Sequence, residues 1–134
     1  MRGSLQTPFA VIRELDFLEE VAGHFSASQT LRSVKRLKIV RGALITNAAH
    51  PEISFPALEE VGQWVELPRD AEDFLALFPA LRKVGKDPSG TSFVLSYGQE
   101  RRPRYYEELV RQIEDLRTQG KLQFTGEIMG MGFR

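Results

Sequence analysis

One eight-residue segment of the chain occurs twice, almost unchanged. Residues 55–62 read Phe-Pro-Ala-Leu-Glu-Glu-Val-Gly, and residues 78–85, twenty-three positions later, read Phe-Pro-Ala-Leu-Arg-Lys-Val-Gly. Six of the eight positions are identical, and the two that differ are adjacent charged residues. A period of roughly 20–29 residues is typical of leucine-rich and related repeats, whose units bury their apolar residues against their neighbours.

The repeated segment predicts which of its side chains are buried. We expect Leu58, Val61, Leu81 and Val84 to be buried at equivalent positions of neighbouring units, with the charged residues at 59–60 and 82–83 exposed. Pro fixes φ at the corner, and Gly permits a backbone conformation that a Cβ atom would forbid. One short strand per unit would then stack into a parallel sheet.

The segments around the repeat indicate further strands. Residues 37–46 cluster β-forming side chains around Arg41-Gly42, which predicts one strand broken by a bulge or two short strands. Residues 64–67 and 91–97 are also predicted to be strands. Near the N-terminus, apolar residues spaced by about three predict an amphipathic helix from Phe9 to Val21. The alternative is a degenerate first repeat at residues 18–23, which resemble residues 58–62 with one insertion.

The C-terminal third is predicted to cover the end of the repeats. A helix from Pro103 to about Thr118 places Leu109, Ile113 and Leu116 on one apolar face, and residues 121–129 are consistent with a final strand. We expect this helix to pack on the second repeat. The predicted fold class is thus α+β, a single domain over 1–134 with an N-terminal helical cap at 1–30, a repeat core at 31–97 and a C-terminal cap at 98–134.

The two octapeptides, with the segment Ile45-Thr46-Asn47 before them, resemble the leucine-rich-like repeats of receptor L domains and of bacterial proteins that share them. That family repeats a strand, an Asn-containing turn and a Phe-Pro-x-Leu-x-x-Val-Gly corner, and the resemblance covers roughly Leu31 to Tyr97. It implies a right-handed parallel β-solenoid used for protein–protein recognition, and the family brings no catalytic residues. By analogy, an adaptor or immunity-type role would suit a small, cysteine-free chain of balanced charge. The chain departs from the pattern after residue 67, where Pro68 and Arg69 stand in place of the Asn.

The amino-acid composition argues against several classes of function. Eighteen basic and eighteen acidic residues balance, so no overall field favours nucleic acid or an anionic membrane. The absence of cysteine excludes disulfides, Cys-ligated zinc and thiol nucleophiles. No apolar run approaches the roughly 18–20 residues that span a bilayer, and we expect a cytoplasmic protein without a cofactor.

Candidate catalytic residues are sparse. The only histidines, His24 and His50, lie in predicted turns, and their spacing is not that of a metal site. A small hydrolase built on His50 with Glu52 is a third, weaker alternative. We therefore predict that the chain is not an enzyme.

Two features suggest binding. The only tryptophan, Trp64, shares one face of a predicted strand with Glu66, while Val65 and Leu67 share the other. An exposed Trp is typical of interface hot spots, although Trp64 could equally pack under a flanking helix. The predicted partner-binding residues, for another protein or a second copy, are Trp64, Glu66, Arg69, Ser92 and Tyr97.

The alternative is a nucleic-acid-binding patch just before and within the predicted C-terminal helix. It consists of Arg101, Arg102, Arg104 and Tyr105, cations that hold phosphates beside an aromatic ring that stacks on bases. The competing interpretation is a solvated helix entry with Tyr106 packed inward, favoured by the acidic residues that follow.

Overall fold

A computed structural model of the chain describes residues 17–28, 31, 34–50, 52–69, 71–97 and 102–132, with the backbone alone at 96, 97, 102–105, 131 and 132. Within those residues it contains nine strands, seven of them only two residues long, and two helices. In chain order they are β1 (Glu20–Val21), β2 (Phe25–Ser26), β3 (Ile39–Val40), β4 (Leu44–Ile45), β5 (Glu60–Val61), β6 (Val65–Glu66), α1 (Phe74–Leu77), β7 (Lys83–Val84), β8 (Thr91–Tyr97), α2 (Arg102–Thr118) and β9 (Glu127–Gly132).

The strands form two parallel sheets. The first sheet has the order β1-β3-β5-β7 and the second has the order β2-β4-β6-β8-β9, so strands alternate between the sheets along most of the chain. Each pair of neighbouring strands is therefore joined by a connection that leaves the sheet and returns to it. The described part of the chain thus has an α+β architecture, with two parallel sheets and two helices.

The two octapeptides lie side by side in the same register. Glu60 pairs with Lys83 and Val61 pairs with Val84 across β5 and β7. The rings that begin the octapeptides, Phe55 and Phe78, stack with their centroids 5.4 Å apart. Equal positions of the repeated segment are thus neighbours in space.

The predicted burial of the octapeptides is confirmed. Leu58, Val61, Leu81 and Val84 are all at most 6% exposed. The charged residues at 82–83 are exposed as predicted. Those at 59–60 are half-exposed, and Arg82 lies 3.8 Å from the Glu59 carboxylate and 2.8 Å from that of Glu60.

Two details of the predicted unit are wrong. Each unit contributes two strands, such as β5 and β6, because the chain turns at residues 62–64 and passes from the first sheet to the second. The glycines that end the octapeptides do not adopt positive φ, which among the described glycines occurs only at Gly90 and Gly120. A Cβ atom at Gly62 would instead lie 2.0 Å from the carbonyl oxygen of Arg41, so glycine is required by the close approach of the preceding turn.

The predicted N-terminal helix is wrong in its last turn. Glu20 and Val21 form β1, which pairs with Ile39 and Val40 of β3, and residues 9–16 lie outside the described residues. The alternative of a degenerate first repeat describes this segment better, since Leu18 and Val21 are buried as Leu58 and Val61 are. The strands of both sheets therefore extend beyond residues 31–97. The segment at 37–46 forms two short strands, not one bulged strand.

The C-terminal helix forms where predicted, and the chain that follows it extends both sheets. Leu109 and Ile113 are buried, and Leu116 packs against the same core. After the helix, Gln123 forms a parallel bridge with Lys83 of the first sheet. Strand β9 then pairs with β8 in the second sheet. The segment therefore covers the last strand of both sheets.

The short helix α1 is not predicted by the sequence pattern. Its N-cap residue Asp73 accepts hydrogen bonds from the backbone N–H groups of Leu75 and Ala76, at 3.1 and 3.4 Å. The backbone N–H of Phe74 donates to Gln112 Oε1 of α2 at 2.7 Å, which ties the two helices together. Phe74 also packs edge-to-face on Phe93, so α1 covers the core beside β8.

The loop before β8 is organised by one carboxylate, and this gives a testable pH effect. Asp87 Oδ1 accepts hydrogen bonds from the Ser89 hydroxyl at 2.7 Å and from the backbone N–H of Thr91 at 2.9 Å. These bonds, that of the Ser89 hydroxyl most of all, lower the pKa of Asp87 below its ordinary value. The stabilisation is therefore present above the unfolded-state pKa and is lost as pH falls through the folded-state pKa. NMR titration should show a lowered pKa in the wild type and a higher one in Ser89→Ala. Equal values would contradict this assignment.

Candidate protein-binding face

The outward side of the second sheet carries a row of register partners, which we call the outer row. Its members are Ser26, Ile45, Glu66, Val94 and Met129. The residues directly before the first four of them, Phe25, Leu44, Val65 and Phe93, are at most 1% exposed and form the core side. Ile45 and Glu66 are half-buried and Met129 is 46% exposed, whereas Val94, between Glu66 and Met129, is only 7% exposed. The outer row thus presents apolar surface around a carboxylate.

Trp64 lies beside the outer row and is held in place by two contacts. It is partly exposed, as the strand alternation predicts. Its indole N–H donates to Glu66 Oε2 at 2.8 Å, which confirms that the two side chains share a face. Its ring also lies 5.8 Å from the His24 ring, between centroids, at a tilt of 52°. These contacts restrict the rotamers of Trp64 while leaving part of the indole open to water.

His24 supports this arrangement from two units away. The register of the second sheet places His24, Ala43 and Trp64 at equivalent positions, directly before β2, β4 and β6. Because Ala43 is small and fully buried, the rings on either side of it can meet. His24 Nδ1 accepts the backbone N–H of Ala43 at 2.7 Å, which orients the imidazole. The spacing of His24 and Trp64 in sequence gives no sign of this contact.

The sequence-predicted partner-binding residues do not all lie on this face. The prediction for Ser92 is wrong, since its side chain is fully buried. The Ser92 hydroxyl donates to the Gly85 carbonyl at 2.6 Å and accepts from the Gly126 N–H at 2.9 Å, so it joins the last two units. Arg69 is exposed, three residues beyond Glu66. Tyr97 ends β8, and its side chain lies outside the described residues.

The predicted nucleic-acid patch is only partly described. Arg101 lies outside the described residues, and Arg102, Arg104 and Tyr105 are described in their backbone alone, in the first turn of α2. The next residue, Tyr106, packs against the core as the competing interpretation predicts. A Cβ atom at Gly130 would lie 2.5 Å from the Tyr106 ring, so this tyrosine is seated against β9.

His24 and His50 each accept a backbone N–H through Nδ1. The hydrogen bond between His50 and Glu52 runs from the backbone N–H of Glu52 to His50 Nδ1, at 3.2 Å, as in a turn. Across the described residues, no group of three or more histidine, aspartate or glutamate side chains is placed to hold a metal ion.

Sequence reasoning missed a cationic cleft beside the first sheet. The cleft has a volume of about 290 Å³ and is lined by Glu19, Lys35, Arg36, Lys38 and Ala57. Three cations within four positions are the sequence signal that could have found it. Sequence reasoning also missed Ile45 and Met129, whose place on the outer row depends on strand register.

Comparison of the chain with protein-family models, with curated proteins and with solved structures finds no match. Of the helices in the described part of the chain, none has the length and apolar character needed to cross a membrane.

Proposed function

We propose that the chain is a non-enzymatic protein-interaction module, of adaptor or immunity type, that binds a partner protein through the outer row and Trp64. We further propose that its core is a short leucine-rich-repeat-like parallel β-solenoid. Support for this fold assignment comes from the in-register octapeptides and from the alternation of strands between two parallel sheets.

The observation that carries the functional proposal is the restrained, partly exposed side chain of Trp64. Large aromatic side chains supply much of the binding energy at protein interfaces, especially when a ring of apolar or neutral contacts excludes water around them. The hydrogen bond to Glu66 and the contact with His24 hold the indole before a partner arrives. Such preorganisation reduces the entropy lost on binding.

The surroundings of Trp64 suit a partner with mixed chemistry. Ile45 and Met129 offer apolar contact. The Glu66 carboxylate accepts the indole N–H through one of its two oxygens, Oε2. A protein surface with apolar side chains and one donor or cation beside them would match both features.

The test is affinity capture followed by measurement with the purified partner. We expect Trp64→Ala to weaken binding by about 30-fold or more, as for a hot spot of roughly 2 kcal/mol. Leu75→Ala is the matched control, because Leu75 is 49% exposed but lies on α1. It should bind like the wild type. Circular dichroism must first show that both variants are folded.

Salt dependence separates this function from nucleic-acid binding. An interface centred on Trp64 should change little with added salt, whereas phosphate binding should weaken steeply. The proposal would be contradicted by a ligand that dissociates when salt is added and that binds the Trp64→Ala variant as tightly as the wild type.

A further inference from the structure

The first sheet carries a regular alternation of charge, which we call the charge ladder. Each of its four strands is accompanied by two like charges. In sheet order these are Glu19 and Glu20 at β1, Lys38 and Arg41 at β3, Glu59 and Glu60 at β5, and Arg82 and Lys83 at β7. The order of sign along the stack is therefore negative, positive, negative, positive. The next position of the sheet, Gln123, is neutral.

The charged side chains of the ladder are exposed or half-exposed, and they lie on neighbouring strands. The backbone N–H of Lys38 donates to the Glu19 carbonyl, that of Glu59 to the Lys38 carbonyl, and that of Arg82 to the Glu59 carbonyl, at 2.8–2.9 Å. Arg41 pairs with Glu20 at 2.6 Å and Arg82 with Glu60 at 2.8 Å, with 36–60% of these side chains exposed. Exposed pairs of this kind contribute little to stability. The ladder is thus available to a second charged surface.

When the four alternating charges are read in the reverse order, each strand has the opposite sign. A reversed copy of the ladder is therefore complementary to the original. If a second copy faces the ladder with its strands stacked in the opposite order, β1 meets β7 and β3 meets β5, so every negative step meets a positive one. If the copy is stacked in the same order, like charges meet at every step. Of the two ways to build a two-fold interface from this face, charge therefore selects one.

We propose that the charge ladder is a docking surface for a second copy of this chain, related by a two-fold axis that runs along the strands between β3 and β5. In this arrangement Glu19 faces the other copy's Arg82, Lys38 faces Glu59, and Glu20 faces Lys83. Glu60 faces Ile39 of the other copy. Arg41 of that copy, directly after its β3, lies beside this Ile39. This surface is separate from the outer row, which lies on the second sheet.

The cationic cleft lies where this arrangement needs it. Lys35, Arg36 and Lys38 line it beside β3, the strand that faces β5 of the other copy. The carboxylate of Glu59 from the other copy would enter a cleft with three cations. Glu19 also lines the cleft and is drawn toward the other copy's Arg82 in the same dimer.

Charge reversal tests the arrangement with two variants. In E59K/E60K the charges at β1, β3, β5 and β7 are negative, positive, positive and positive. In K38E/R41E the charges at the same four strands are negative, negative, negative and positive. Each variant alone brings like charges together at the two central steps, so its dimer should be weakened by about tenfold or more. An equal mixture restores opposite charges at all four steps. Native mass spectrometry and sedimentation velocity at low ionic strength should detect a dimer of the wild type and a heterodimer of the mixture.

Controls separate this effect from net charge and from misfolding. E108K/E114K on the exposed side of α2 adds the same charge as E59K/E60K and should dimerise like the wild type. If a double variant does not fold, the single variants E59K and K38E carry the same central repulsion and the same rescue on mixing. A wild type that stays monomeric at millimolar concentration and low salt overturns the proposal. So does a mixture that does not form the heterodimer, or a control that loses the dimer equally.

Discussion

A chain truncated after Gly98 is expected to be unfolded or insoluble. The truncation removes four side chains that are at most 7% exposed, Leu109, Ile113, Leu122 and Phe124. Burying a side chain of this size contributes about 1.5–3 kcal/mol, so the loss is about 6–12 kcal/mol. This is comparable to the whole net stability of a domain, about 5–15 kcal/mol.

The same truncation would uncover two strand edges. Val84 donates its backbone N–H to Gln123 at 2.9 Å, and β8 loses its partner β9 along six register pairs. Exposed edges of this kind promote aggregation. Circular dichroism and chemical denaturation measure the outcome, with a chain that ends at Gly132 as the control because it keeps every described contact. A truncated chain that is soluble and unfolds cooperatively would contradict the structural role. If it also failed to bind a partner, α2 would be the binding element.

Gly62→Ala is expected to destabilise the chain by about 3 kcal/mol or more. The new Cβ atom would lie 2.0 Å from the Arg41 carbonyl oxygen and 2.8 Å from its carbon, and a backbone group cannot move aside as a side chain can. The Gly62 N–H also donates to the Val40 carbonyl at 2.7 Å, so any shift that relieves the clash strains this bond between units. The free energy of unfolding from denaturant titration measures the effect.

Gly23→Ala is the matched control. Gly23 lies in the turn between β1 and β2, and a Cβ atom there would meet nothing within 4 Å. We expect a change within about 0.5 kcal/mol. If Gly62→Ala were equally mild, the turns would not approach each other as closely as described, and the reason for glycine at the end of each octapeptide would have to be sought elsewhere.

The buried positions of the octapeptides could be predicted because identity at a fixed spacing reports directly on equivalent environments. Strand alternation likewise placed Trp64 and Glu66 on one face, as their hydrogen bond confirms. The strand within each octapeptide, such as β5, could not be predicted, because two residues are too few to show a period. Helix α1 is similarly short, with four residues.

Other features depend on partners that are distant in sequence. The buried Ser92 hydroxyl accepts a hydrogen bond from the N–H of Gly126, thirty-four residues later. Met129 joins the outer row only because β9 returns to pair with β8 after the whole of α2. No local pattern contains these pairings, so local reasoning placed Ser92 on the wrong side and did not identify Met129.

Acrylamide quenching of Trp64 fluorescence tests the central claim most directly. Trp64 is the only tryptophan, so the emission of the chain reports on one side chain. A partner that contains no tryptophan, or whose tryptophans are replaced, keeps the signal unambiguous. We predict efficient quenching in the free protein, because the indole is partly exposed, and strong protection in the complex. Equal quenching of Trp64 in the free and bound protein would show that the partner binds elsewhere and would contradict the proposed binding face.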